Sequence, residues 1–101
     1  GPLPAGTFRV AKSGKISYRL SNRSPFKITG TIGFLSGHQR IGLSRFKLRA
    51  NRSADVIVTL VPAARRRIAN GAKLKATAIV SATGPARSKA TARRGITLRK
   101  R

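Results

Sequence analysis

An all-β sandwich of seven to eight short antiparallel strands, with one short helix near residues 62–70, is the fold class this sequence predicts. Apolar and polar residues alternate at period two along most of the chain, the pattern of half-buried strands. Turn signals interrupt that pattern about every 8–12 residues, the spacing of a sandwich. The apolar set is Val, Ile, Leu, Ala and Phe, with ten glycines and no Trp, Met or Cys, which suits strands and turns rather than a helical bundle. A partly open barrel shares these features and is the alternative. The 101 residues are enough for one domain that buries roughly 60–65% of its unfolded surface.

Each element follows from its own residues. Segment 7–12 alternates weakly, with Phe8 and Val10 on one side. Segment 15–20 alternates cleanly, Ile16, Tyr18 and Leu20 facing one way and Lys15, Ser17 and Arg19 the other. After a polar turn over 22–25, Phe26, Ile28, Ile32 and Phe34 share one face. Gly30 sits among them, where a close neighbour or a bulge leaves no room for a side chain. Beyond a loop holding Gly37 and His38 come two short strands, 39–43 with Ile41 and Leu43 inward and 45–49 with Phe46 and Leu48 inward. The parity change between Leu43 and Phe46 predicts a turn or bulge near Ser44 and Arg45. A turn over 51–53 leads to strand 54–61, with Val56, Val58 and Leu60 inward. Pro62 suits a first helical position, Leu60, Ala64 and Ile68 recur at spacing four, and Asn70-Gly71 is a stop signal. Strand 72–82 turns Leu74, Ala76, Ala78 and Val80 inward, and Thr83-Gly84-Pro85 makes a turn. Strand 87–99 turns Ala90, Ala92, Ile96 and Leu98 inward, with a bulge at Arg94-Gly95. Residues 1–6, opening on Gly1-Pro2, read as a protease-processing remnant and linker, and 7–101 as the domain.

Charge is the most informative property for function. The chain holds 23 Lys+Arg against one acidic residue, Asp55, for a formal net charge of +22. A folded domain cannot neutralise that internally, and its self-repulsion demands counter-ions or a polyanionic partner. Arginine outnumbers lysine by 15 to 8, which fits both GC-rich coding and bidentate contacts to phosphate or carboxylate. Catalysis fails on inventory. General acid–base chemistry needs neighbouring carboxylates or histidines, and the chain offers Asp55 and His38 alone. Asp55 is expected to pair with a nearby Arg, and His38 to sit solvated in a Gly-flanked loop. No metal site and no cofactor are expected, since Cys, His and carboxylate ligands are nearly absent. There is no P-loop or dinucleotide fingerprint; Gly30-Thr31-Ile32-Gly33 is two glycines inside a strand. The five aromatics fall mainly on inward parities, which disfavours a base-stacking platform. No apolar run approaches the roughly 18 residues of a membrane span.

The stretch VIVTLVPAARRRIANGAKLKATAIVSATGPARSKATARRGITLRK resembles the C-terminal half of bacterial immunoglobulin-like modules. The shared features are the strand ending in Leu60, the Ala-Ala-Arg-Arg helical turn at 63–66, the Thr/Ala/Val strand 72–82 and the closing Ile-Thr-Leu at 96–98. Thr-Gly-Thr-Ile at 29–32 and Ser-Arg-Phe-Lys-Leu at 44–48 extend the resemblance over most of residues 14–100. Such modules occur in large secreted and surface proteins of high-GC Gram-positive bacteria. The resemblance implies an immunoglobulin-like β-sandwich of seven to eight antiparallel strands, an extracellular or cell-surface location, and other domains in a larger parent chain. Many such modules carry a Cys pair near the positions of Ser21 and Ile28, which this chain lacks. Ala82-Thr83-Gly84-Pro85 replaces their usual Asp-x-x-Gly turn. The family has no single role, and a fold hosts sites without implying them.

In that topology strands 26–34, 72–82 and 87–99 share a sheet. Their outward residues are Lys27, Thr29 and Thr31; Lys73, Lys75 and Thr77; Lys89, Thr91 and Arg93. Lysines beside hydroxyls suit phosphate or sulfate oxygens. Two further basic clusters are Arg65-Arg66-Arg67 on the short helix and Arg93, Arg94, Arg99, Lys100 and Arg101 at the C-terminal end. The expected function is that of a monomeric, non-catalytic accessory module that binds an anionic polymer: nucleic acid such as extracellular DNA, wall polymer or acidic glycan. The binding residues would be Lys27, Lys73, Lys75, Lys89, Arg93, Arg65, Arg66 and Arg67, acting by counter-ion release with little sequence readout. The competing reading is a structural spacer or adhesion unit with no ligand of its own. A third, an intracellular nucleic-acid protein, is disfavoured by the resemblance.

Overall fold

Ile16, Tyr18 and Leu20 leave one side of β2 (Lys15–Ser21) and are buried, while Lys15, Ser17, Arg19 and Ser21 leave the other and are exposed. The computed structural model, which describes residues 3–101, repeats that rule in most of its strands. The expected processing remnant at Gly1-Pro2 lies outside the described residues. β2 pairs antiparallel with β5 (Ser53–Thr59), setting Ile16 opposite Val58 and Tyr18 opposite Val56. These two strands form the smaller sheet. The larger sheet runs in the order β1 (Gly6–Val10), β7 (Lys89–Lys100), β6 (Leu74–Thr83), β3 (Ile28–Ser36), β4 (Gln39–Leu48). Its ladders are antiparallel except that of β1, which runs parallel to β7. The molecule is the expected all-β sandwich, with seven strands in the described residues.

The core lies between the sheets. Tyr18, Phe34, Ile16, Ile32, Ile68, Leu98 and Val58 are its largest fully buried side chains, each stabilising by about 1.5–3 kcal/mol relative to exposure. Phe8 stacks on Tyr18 at 5.2 Å between ring centroids, and Phe34 meets the same ring edge-on at 5.8 Å. The one α-helix among the described residues, α1 (Pro62–Ala69), starts on a proline that needs no N–H partner and buries Ala64 and Ile68, four apart, against this core. It ends where Gly71, at φ +96°, donates its N–H to Ile68 O at 2.9 Å and Ala72 donates to Arg67 O at 3.0 Å.

Three expectations need correction. Residues 39–48 form one strand, not two separated at Ser44-Arg45. Leu43 pairs with Gly33 and faces out, 49% exposed. The irregularity lies earlier, where the register jumps from Phe34 opposite Gly42 to Leu35 opposite Arg40 and leaves Ile41 as the extra residue. Ile41 and Gly42 are both buried, and a Cβ on Gly42 would stand 3.0 Å from Val58 Cγ1. Packing against β5 thus sets the bulge.

Phe26 does not join the inward face of β3. It precedes the strand and is 54% exposed. Buried Asn22 explains this: its Nδ2 donates to the carbonyls of Phe26 at 2.7 Å, Arg49 at 3.0 Å and Leu48 at 3.2 Å. Its Oδ1 accepts from Ser24 N and Oγ at 3.0 and 2.8 Å. A buried amide must be satisfied in this way, and the carbonyl of Phe26, not its ring, is what it draws inward.

Finally, β7 has no bulge at Arg94-Gly95. Its register to β6 is unbroken from Lys89 opposite Thr83 to Leu98 opposite Leu74. Ala90 and Ala92 have the inward parity but are exposed. The smaller sheet is only two strands wide and β1 pairs only with Ile96–Lys100, so among the described residues nothing covers this half of the strand.

Candidate polyanion-binding face

The outward side of the larger sheet is fixed by what the inward side buries. Ile32, Phe34, Ala78, Val80 and Leu98 face the core, so the alternate residues face out. The ladders align them in rows. One row runs Lys47, Thr29, Thr83, Lys89; the next Arg45, Thr31, Ser81, Thr91; the third Leu43, Gly33, Ile79, Arg93. Neighbouring strands are about 4.8 Å apart, so the cations of β4 and β7 stand about 14 Å apart at the backbone. Between them β3 and β6 lay a floor of hydroxyls. Threonine suits both needs: its branched Cβ favours the strand and its hydroxyl faces solvent. Farther along, Lys75 aligns with Thr97 and Thr7, and Arg99 with Arg9.

No acid compensates this charge. Asp55 lies on β5 in the smaller sheet, opposite Arg19, whose Nη1 sits 3.2 Å from Asp55 Oδ1. The pair is as expected, and with both side chains more than half exposed it contributes about 0–1 kcal/mol. His38 is exposed in the β3–β4 hairpin turn. Burial pushes the Tyr18 phenol up to about 12, against the opposing pull of Arg94, so it stays neutral at ordinary pH. No group of three or more metal-ligating side chains occurs among the described residues, and no helix there is long and apolar enough to cross a membrane.

The expected binding residues divide into separate places. Lys75, Lys89 and Arg93 lie on the outward face. Lys27 precedes β3 and Lys73 precedes β6, both exposed and at opposite ends of the sheet. Thr97, the partner of Lys75, lies eight residues from Lys89 along β7, about 27 Å. Arg65, Arg66 and Arg67 are exposed on α1 and do not join the face. Arg66 and Arg67 occupy the last helical turn, where cations complement the helix dipole. Arg45 and Lys47 of β4 were not foreseen, although a short Gly-bearing loop between two strands signals that they are sheet neighbours.

No family model matches the chain, and no curated sequence matches it. Among solved structures it is similar to the crystal structure of the periplasmic chaperone SfaE, with a TM-score of 0.69 at 8% sequence identity, over 98% of this chain and 56% of that one. The fold is immunoglobulin-like. The strand order agrees, with β2 and β5 as B and E, β4, β3, β6 and β7 as C′, C, F and G, and β1 parallel on G. At this identity the likeness shows the immunoglobulin-like fold alone, and the chain spans little more than half the length of the chaperone.

Proposed function

We propose that this immunoglobulin-like domain is a non-catalytic accessory module that binds anionic polymers along the outward face of its five-stranded sheet. Its setting in this reading is a secreted or surface protein of the kind its residues resemble, those of high-GC Gram-positive bacteria. The observation that supports it is the pairing of two cationic rims, Arg45 and Lys47 on β4 with Lys89 and Arg93 on β7, across a floor of Thr29, Thr31, Ser81 and Thr83. A polymer lying there meets charge on both sides and hydroxyl donors beneath. Lysines act as point charges, arginines offer forked donors, and each neutralised anionic group releases a counter-ion. The rows present no aromatic ring for base stacking, so recognition is of charge spacing rather than of sequence.

The test is a panel of duplex DNA, heparin, a phosphate-bearing wall polymer and a neutral glycan, measured at two salt concentrations. The anionic polymers should bind and weaken steeply with salt, and the neutral glycan should not bind. Absence of binding to any polyanion at low salt returns the domain to the role of a spacer.

A further inference from the structure

The sequence sets Lys12, Arg65 and the adjacent pair Lys100-Arg101 far apart, and the fold brings them together. They line a cavity of about 420 Å³ between the β1–β2 turn, α1 and the end of β7, whose remaining wall is Val10, Ala11, Ile68 and Ala69. Val10 and Ile68 are core residues, 4% and 2% exposed. They close the cavity off from the core, and half-buried Ala11 and exposed Ala69 present the apolar surface among the four cations.

The cavity is built rather than incidental. Gly14 closes the β1–β2 turn at φ +81°, and a Cβ there would stand 2.7 Å from Arg65 Cδ and 3.1 Å from its Cγ. The stem of Arg65 therefore lies across bare glycine backbone. Gly14 N–H donates to Ala11 O at 2.8 Å, and Arg101 N–H donates to Val10 O at 3.3 Å, tying the turn and the end of β7 to the same wall. The four cations are exposed and repel one another through water, a modest repulsion that a bound anion would offset, and Asp55, the one acidic side chain of the chain, is engaged by Arg19.

The ligand class follows from three requirements. It must carry negative charge for the cations. It must be compact, since this volume lies at the lower end of the roughly 300–1,000 Å³ of small-molecule pockets. It must also have an apolar body, because a bare inorganic anion leaves the apolar wall of Ala11 and Ala69 wet. We propose that this cavity binds a phosphate or sulfate monoester of an aryl or short alkyl group. It is a site separate from the sheet face and does not depend on the polymer reading. The same chemistry reaches it either as a soluble ester or as the headgroup of a phosphomonoester lipid.

The full chain is titrated with 1-naphthyl phosphate, inorganic phosphate and 1-naphthol, following backbone amides by NMR in about 0.15 M salt, where the Debye length is about 8 Å. The ester should bind at least about tenfold more tightly than inorganic phosphate or the alcohol, a difference of about 1.4 kcal/mol. Its largest shifts should fall at residues 11–14, 68–70 and 100–101. The double variant Lys12→Gln, Lys100→Gln should weaken the ester by about tenfold or more, since charge-assisted contacts are lost. The pair Arg23→Gln, Arg52→Gln, with equal charge loss at the far end of β2 and β5, should change it less than about twofold. Equal affinity for ester and inorganic phosphate overturns the proposal, as do shifts scattered over all basic residues or equal losses in the two doubles. Binding to phosphatidic acid vesicles that the ester competes away assigns the lipid headgroup as a source; ester binding without such competition assigns the soluble ester.

Discussion

The Tyr18 hydroxyl donates to the Pro4 carbonyl at 2.7 Å. Tyr18 thereby ties the segment before β1 to the smaller sheet while its ring packs against Phe8 of β1 and Phe34 of β3. One side chain joins the chain's first described residues to both layers.

That position gives Tyr18 a pH signature. Burial raises its pKa from 10.0 to about 12, with Arg94 pulling it down. The fold favours the protonated phenol, so this contribution is whole below about pH 10 and is lost as pH rises toward 12, at up to about 1.4 kcal/mol per pH unit for one proton. The difference between the wild type and Tyr18→Phe isolates the phenol. Tyr18→Phe should cost about 1 kcal/mol near pH 7 through the lost hydrogen bond, and that gap should close near pH 11 and reverse sign by about pH 12. A gap independent of pH in denaturant titrations would count against the assignment.

Gly30 should be irreplaceable for want of space. A Cβ there would run into Ser81 O and stand 2.9 Å from Ala82 Cα and 3.0 Å from Phe46 Cζ. Two of these are backbone atoms of β6 and cannot swing away. Gly30→Ala should cost about 1–3 kcal/mol by overpacking. Gly33→Ala, three residues on and facing out with its nearest contact at 3.5 Å, should be near neutral. Thermal melts of the two variants check the contrast; similar melting temperatures would refute it.

These comparisons show what was legible in the sequence. Gly30 could be read as a close-packed strand position because its neighbours Ile28, Ile32 and Phe34 kept one parity. The buried alternations of β2, β5 and β6 and the spacing of Ala64 and Ile68 were equally plain, since each side chain answers to one layer. Ile41-Gly42 was not legible: the choice to bulge there rather than at Ser44 depends on Val58 of another strand. Nor were Ala90 and Ala92, whose parity is right but whose cover depends on the width of the opposite sheet. The rims of the candidate face were half legible for the same reason. Lys89 and Arg93 followed from parity, whereas Arg45 and Lys47 needed the pairing of β3 with β4.

The uncovered half of β7 makes a prediction about association. Over Lys89–Gly95 the side away from β6 has no strand partner among the described residues. Exposed edges recruit other strands unless charge prevents it, and here Lys89, Arg93 and Arg94 supply that charge. The variant Lys89→Thr, Arg93→Thr, Arg94→Thr should self-associate as salt is raised, while the wild type stays monomeric. Sedimentation velocity reads this directly. A triple variant that remains monomeric at every salt concentration removes the edge charges from the explanation.

Net charge of +22 predicts that stability rises with ionic strength. Screening shortens the range of repulsion to about 10 Å at 0.1 M salt, and Asp55 with Arg19 is a single surface pair whose loss to screening is small. Sulfate should stabilise more than chloride at equal ionic strength, because it is both excluded from apolar surface and attracted to clustered cations. Melting temperatures that fall with added sodium chloride would show that repulsion is not the dominant electrostatic term.

The last prediction separates a defined face from bulk charge. Arg45, Lys47 and Lys89 flank the same two rows of hydroxyls, and all three are exposed. Replacing them with Gln removes three charges from strand positions that face solvent and should leave the fold intact. For duplex DNA the slope of log affinity against log salt should shrink by about 0.9 per lost phosphate contact, about 2.7 if all three make one. The matched control is Arg65→Gln, Arg66→Gln, Arg67→Gln on α1, an equal charge loss away from the sheet. If binding uses the face, the sheet triple loses more affinity and more slope than the helix triple. If only net charge matters, the two triples weaken DNA alike, since both leave a formal charge of about +19. Equal slopes would therefore end the case for the face while leaving the domain a general polyanion binder.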